Sequence, residues 1–147
     1  DWSSDVCSSD LVHHVGIAGA RRAAGLPLRS LVVGTASVYE DAAEGKWVAH
    51  RLAPDAALAA ALRAAVPGAA ALPIGTSARV GGAGEAPVEA MEGFAVLRAA
   101  RQAGVPAVEL RAISNVVEEP DRARWDIQGG LDAIASAGRT ALDALRA

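Results

Sequence analysis

The chain has a single cysteine, Cys7, and it lies in a stretch unlike the rest. A disulfide framework is excluded. With that stretch set aside, no thiolate remains to act as nucleophile or zinc ligand, which fits a reducing cytoplasm. Aromatic residues make up 3% against 52% apolar in all, so the core must be mostly aliphatic. Positive charge is not concentrated: 14 Lys and Arg face 17 Asp and Glu, for a formal net charge of −3, with no basic block. Binding driven by counterion release has little to work with, and no nucleic-acid partner is expected. Long apolar runs are also missing. The most apolar tract, 56–73, is broken by Arg63 and Pro67 and falls short of the roughly 20 clean residues of a spanning helix, so no membrane partner is expected either. The three histidines, His13, His14 and His50, lack metal-ligand spacing, and adjacent His13 and His14 would point to opposite faces of a strand. The expectation is a soluble, cytoplasmic protein with no metal and no cofactor.

Residues 1–11, DWSSDVCSSDL, are rich in Ser and Asp where the remainder is rich in Ala, Val, Leu and Gly. They match, residue for residue, the translation of a widely used sequencing-adapter oligonucleotide. We read them as a non-native segment and exclude them from fold reasoning. At 147 residues the chain is one domain or part of one. The expectation is that 12–147 form the C-terminal part of a single catalytic domain.

From Val12 the pattern alternates between strand and helix. Val12–Ala18 reads as a strand entering a small-residue turn, and Ser30–Tyr39 as a buried β-branched strand. Asp41–Gly45 reads as a polar loop, with a short strand over Lys46–Leu52. Pro54-Asp55 opens an Ala/Leu helix that runs to about Val66 and stops at Pro67-Gly68. Ala70–Thr76 is a strand and Gly81–Pro87 a glycine-rich connection. A helix from about Met91 to Ala103 is closed by Gly104, and Val105–Ser114 is the clearest buried strand. From Ile127 a last helix sets Leu131, Ile134, Leu142 and Leu145 on one face, at spacings of 3, 8 and 3. The fold class is α/β, with helices flanking a sheet.

Two short motifs stand out. Residues 88–96 read VEAMEGFAV, and 23 positions after Glu92 comes Asn115, which ends RAISN. A methionine beside a carboxylate, followed by Arg-x-x-Ser-Asn at a strand end, resembles the nucleoside phosphorylase/nucleosidase superfamily. Within it, the pattern is most similar to the futalosine-hydrolase branch, the N-glycosidases of menaquinone biosynthesis. The stretch from Asp121 to Ile127, DRARWDI, resembles the same branch. The resemblance implies a three-layer phosphorylase/hydrolase-like fold with a central mixed sheet. It also implies hydrolysis of the purine–ribose bond of futalosine, with release of hypoxanthine and dehypoxanthine futalosine.

That chemistry assigns work to particular residues. Cleaving a purine N-glycosidic bond passes through a ribosyl oxocarbenium-like state, so the enzyme must hold the ribose hydroxyls, offer the purine a partner near N7 and deliver water. An ionised Glu92 can accept two hydrogen bonds from vicinal hydroxyls and favours a cationic sugar. Met91 would pack under the ribose. A glutamate favoured at a helix N-terminus by the dipole is the plainer alternative for Glu92. In relatives that cleave adenine nucleosides the position of Asn115 is an aspartate. An amide offers N–H donors to N7 and O6 with no charge to desolvate, so Asn115 points to a 6-oxopurine. A strand-end asparagine closing a turn is its alternative.

By the resemblance, Arg111 would assist at the 2′-hydroxyl, Ser114 would orient Asn115, and Trp125 would line the pocket for the aromatic group at the substrate's 5′ end. The turn at Gly16–Ala20 resembles the family's turn close to ribose and base, which brings in Ile17, Ala18 and Gly19. It lacks the G-x-G-x-x-G spacing of a dinucleotide site. The base-stacking residue is sought in Thr76–Val80, while Glu40, Asp41 and Glu44 read as a solvated acidic loop. The family's water-activating glutamate, near the native N-terminus, has no counterpart in this chain, which is therefore expected to be inactive alone. A small-molecule nucleoside substrate and a homo-oligomer are implied by the resemblance. The other readings are a purine nucleoside phosphorylase, a methylthioadenosine/S-adenosylhomocysteine-type nucleosidase, and, from another class, an inactive nucleoside-binding or structural fragment.

Overall fold

The computed structural model describes residues 10–41, 49–82 and 84–146. Strands and helices alternate along them: β1 (Val12–Ala20), β2 (Leu31–Tyr39), β3 (Arg51–Leu52), α1 (Ala56–Ala65), β4 (Ala70–Thr76), β5 (Val88–Ala90), α2 (Gly93–Gln102), β6 (Ala107–Val116) and α3 (Ile127–Arg146). The helix ends have local causes. The Asp55 carboxylate accepts the Leu58 backbone N–H at 2.9 Å, so α1 starts one residue later. Gly104, at φ 70°, takes the left-handed conformation just past the end of α2.

The strands form one mixed sheet in the order β3-β2-β4-β5-β1-β6, and β2 also pairs with β6. Pairs β1–β6, β2–β4 and β4–β5 are parallel, whereas β1–β5, β2–β3 and β2–β6 are antiparallel. The β2–β6 pairing, Leu31 to Val33 against Ala112 to Leu110, closes five strands on themselves and leaves β3 outside. All five contribute to a core of strand residues: Ala18, Val32, Ile74, Val88 and Ile113. Small and β-branched side chains suit so narrow an interior.

Helices flank this sheet, as the pattern predicts. Helices α1 and α3 share a cluster with β2 and β6 that includes Leu62, Leu110 and Ile134. Helix α2 packs Phe94 and Leu97 on Leu52 and Ala107. Fully buried leucines such as Leu62 and Leu110 each stabilise the fold by about 1.5–3 kcal/mol. No helix among the described residues is long and apolar enough to cross a membrane.

Several expectations change. The helix expected from Met91 begins at Gly93, and the three residues Val88–Ala90 before it are a strand. They complete hydrogen bonds between β4 and β1, and three residues are too few to show a period. Leu131 is 44% exposed rather than on the buried face. At 3.6 residues per turn it lies about 60° from Ile134, whereas Ala141 and Leu145 fall within about 20° of it. Glu40 is half-buried, not solvated: it accepts the Ala86 N–H at 2.8 Å and lies over Gly75 and Gly84. The Asp41 carboxylate accepts the Ala78 N–H. Glu44 and most of Lys46–Leu52 lie outside the described residues, and within that range the strand is Arg51–Leu52.

Candidate active site

The site forms at the carboxyl ends of β1 and β6, where antiparallel β5 lies along the last residues of β1. Strands β1 and β6 run in register from Val12 opposite Ala107 to Ala18 opposite Ile113, and the next pair is Gly19 opposite Asn115. Ser114 is thus the extra residue of a β-bulge. Alternation along a regular strand would put Asn115 on the face of Ile113, in the interior. The bulge turns it to the side of Gly19, as bulges beside functional sites commonly do.

Ser114 and Asn115 face a cleft of about 170 Å³, and Ile17, Ala18 and Gly19 form its β1 wall. Met91 and Glu92, in the turn from β5 to α2, line it as well, and so do Trp125 and Ile127. Of the nine residues singled out from the sequence, eight line this cleft; Arg111 does not.

The polar geometry is specific. The Ser114 hydroxyl is 2.9 Å from Asn115 Oδ1 and 3.2 Å from the Ala18 carbonyl, and Asn115 Nδ2 donates to the Val116 carbonyl at 3.2 Å. With Oδ1 facing a hydroxyl, the amide's second N–H remains for a ligand. Glu92 immediately precedes α2, yet its side chain makes no capping hydrogen bond. The carboxylate instead accepts from Arg111 at 3.1 Å. The Trp125 indole N–H donates to the Glu119 carbonyl at 3.1 Å, with the Arg122 guanidinium 5.5 Å from the ring centroid.

Arg111 sits behind this wall, its side chain 3% exposed. It donates to Glu109 at 2.8 Å, to the Ile17 carbonyl at 3.3 Å and to Glu92, and it meets His14 Nε2. A guanidinium has no acceptor, so His14 Nε2 must accept and the ring is neutral, with its proton on Nδ1. Burial, then the Arg111 charge, lowers the His14 pKa from 6.5 to about 4. Glu109 is 1% exposed, and burial pushes its carboxyl above the ordinary 4.5 while Arg111 pulls the other way. Arg111 therefore holds Glu92 from behind, itself fixed by Glu109, His14 and the Ile17 carbonyl.

Sequence reading passed over Glu89, Val80, Ala90 and Ile127 in the cleft, and His14 and Glu109 behind it. Val80 does fall in the segment searched for a base-stacking residue. Glu89 lies inside the VEAMEG motif but shares the alternation of a strand too short to read. It is 6% exposed, accepts the Gly81 N–H at 2.7 Å and pairs with Arg21 at 3.4 Å. Burial raises its pKa above 4.5, against the pull of the Gly81 N–H and Arg21. No cluster of His, Cys, Asp and Glu among the described residues could hold a metal ion.

No family model matches the chain. Over 49 residues, 33% of its length, it is 55% identical to a futalosine hydrolase of Streptomyces coelicolor and 51% identical to one of Acidothermus cellulolyticus. The matched stretch spans 21% and 20% of those curated relatives. Solved structures match nearly all of the chain. A 5′-methylthioadenosine/S-adenosylhomocysteine nucleosidase of Colwellia psychrerythraea in complex with adenine superposes with a TM-score of 0.80 at 19% identity, covering 92% of this chain and 67% of that one. The chain has the nucleosidase fold. Futalosine hydrolase of Helicobacter pylori superposes equally well, with a TM-score of 0.80 at 19% identity over 91% of this chain and 68% of that one. The nucleosidase likeness thus covers about nine-tenths of the chain, while the strong sequence identity is confined to a third.

Proposed function

We propose that this chain is the C-terminal part of the catalytic domain of a futalosine-hydrolase-like N-glycosidase. The substrate is futalosine and the leaving base is hypoxanthine. The observation that carries this reading is that Asn115 and Glu92 line the same cleft. One offers an uncharged N–H donor; the other is a carboxylate steadied by Arg111. The local identity to two futalosine hydrolases supports the same branch.

In this reading the ribose lies against Met91 and Glu92. Glu92 accepts hydrogen bonds from the two ring hydroxyls, and its charge stabilises the sugar cation as the C–N bond breaks. The departing base keeps the bonding pair. Asn115 donates to N7 or O6, where the negative charge gathers, and the base then takes a proton from solvent. Water adds to the anomeric carbon from the open side, and the base receiving its proton lies outside these residues. A homo-oligomer and a cytoplasmic setting belong to the same proposal.

The test is hydrolysis by the chain with residues 1–11 replaced by the N-terminal segment of a full-length relative, offered futalosine, inosine and methylthioadenosine. Hypoxanthine from futalosine without phosphate supports the reading, and Asn115→Ala should then lower kcat by about 10²–10³, as for loss of one preorganised donor. Adenine from methylthioadenosine would refute the role given to Asn115. A strict need for phosphate would point to a phosphorylase, and no turnover at all to a non-catalytic fragment.

A further inference from the structure

A buried carboxylate in the cleft, Glu89, has no part in the chemistry above. Its place follows from strand register. Gly19 of β1 pairs with Glu89 of β5 on one side and with Asn115 of β6 on the other. Directly paired residues project from the same face of a sheet. Glu89 and Asn115 therefore flank a residue with no side chain, at a Cα separation of roughly 10 Å across two strand spacings. A side chain at Gly19 would strike the amide, since a Cβ there would lie 2.9 Å from Asn115 Nδ2. Gly19 contributes no side chain to the wall between amide and carboxylate, where Val117 Cγ2 would lie 3.0 Å from the same Cβ.

The two groups offer opposite chemistry. Asn115 has Oδ1 against the Ser114 hydroxyl and presents N–H. Glu89 is only an acceptor when ionised. Of its roughly four lone-pair sites, one takes the Gly81 N–H at 2.7 Å and another Arg21 at a long 3.4 Å, with the Gly82 N–H also directed at it. A base that fits must turn acceptors to one side and an N–H to the other. A 6-oxopurine does so, with N7 and O6 on one edge and N1–H beyond them. Adenine fails at the carboxylate, because its N1 is a lone pair.

We propose that Glu89 is a second base-reading residue, its carboxylate accepting the N1–H of a 6-oxopurine whose N7/O6 edge meets Asn115. This rests on the reading of the cleft as a nucleoside site and adds the residue that rejects adenine. The Arg21 pair holds the carboxylate in place, and Arg21 also ties the glycine-rich connection through the Gly82 and Ala86 carbonyls.

Calorimetric titration of the full chain with hypoxanthine, 1-methylhypoxanthine and adenine tests this. Hypoxanthine should bind at least tenfold more tightly than either of the others, because adenine has no N1–H and methylation replaces it with a group that cannot donate. In Glu89→Gln the side-chain oxygen can keep the Gly81 bond and turn its NH2 to the cleft, so the preference for hypoxanthine over adenine should fall at least tenfold. Equal binding of hypoxanthine and its 1-methyl derivative would overturn the role of Glu89 while leaving the nucleoside reading intact. Unchanged selectivity in a folded Glu89→Gln protein would do the same. If that variant does not fold, the methyl comparison in the unaltered chain decides. Failure of hypoxanthine to bind at all would overturn both this proposal and the function on which it rests.

Discussion

Replacing Arg111 by methionine keeps the apolar stem and deletes the charge, which isolates what the guanidinium does. Arg111 and Glu109 meet at 2.8 Å with side chains 3% and 1% exposed. Removing one partner of so buried a pair leaves the other charge unpaired, at a cost of about 3–5 kcal/mol at neutral pH. The dependence on pH follows from Glu109. Burial raises its pKa above 4.5, and Arg111 is the main opposing influence, so the variant's folded-state value rises further. The folded state then holds the proton more tightly than the unfolded chain. Below 4.5 the carboxyl is protonated in both states and costs nothing. The penalty grows as pH rises through the window between 4.5 and the folded value, and is constant above it. Every tenfold gap in proton affinity between the folded and unfolded states costs about 1.36 kcal/mol.

Urea unfolding of the full chain at pH 5 and pH 8 reads this directly. Arg111→Met should lose more stability at pH 8. Adding Glu109→Gln should restore part of the loss at pH 8 and much less at pH 5. Comparing the single and double variants removes the contribution of His14, which is common to both. Equal losses at the two pH values, with no rescue by glutamine, would refute the account of Glu109 as an orphaned buried carboxylate.

The His14 imidazole should titrate by NMR near 4, and Arg111→Met should raise that value, because the Arg111 charge is the second cause of its depression; titration near 6.5 in the unaltered chain would contradict the burial and contact described. Since the unfolded chain then takes up a proton that folded His14 refuses, this residue lowers stability as pH falls from about 6.5 towards 4. Gly130→Ala should cost about 1–3 kcal/mol, read as a lower urea midpoint, because its Cβ would lie 3.1 Å from Ile17 Cγ2 and 3.2 Å from Ser114 Cβ. An unchanged midpoint would mean that α3 can shift away from β1 and β6 without penalty.

Much of the architecture was open to inspection in the sequence because its signals are local. Asp55 before an Ala/Leu run, Pro67-Gly68 after it and Gly104 beyond α2 each act within one helical turn. Strand β6 was readable because ten consecutive residues carry the pattern, whereas β5 was not, having only three. The motif residues Met91, Glu92, Ser114 and Asn115 could be picked out by type and spacing, and they meet in one cleft.

What the tertiary structure alone decided is which groups face one another across distant strands. The β2–β6 closure, the bulge at Ser114 and the double pairing of Gly19 depend on register between segments up to about 100 residues apart, and register is set by many weak contacts rather than by any one residue. So the sequence by itself determined the alternation of elements, the helix ends and the identity of the candidate site groups. Only folding decided that Arg111 would be turned inward to hold Glu92, and that Glu89, a strand residue with no visible signal, would stand opposite Asn115. Side-chain chemistry belongs to the residue, but its burial, partners and pKa belong to the neighbours that the fold supplies.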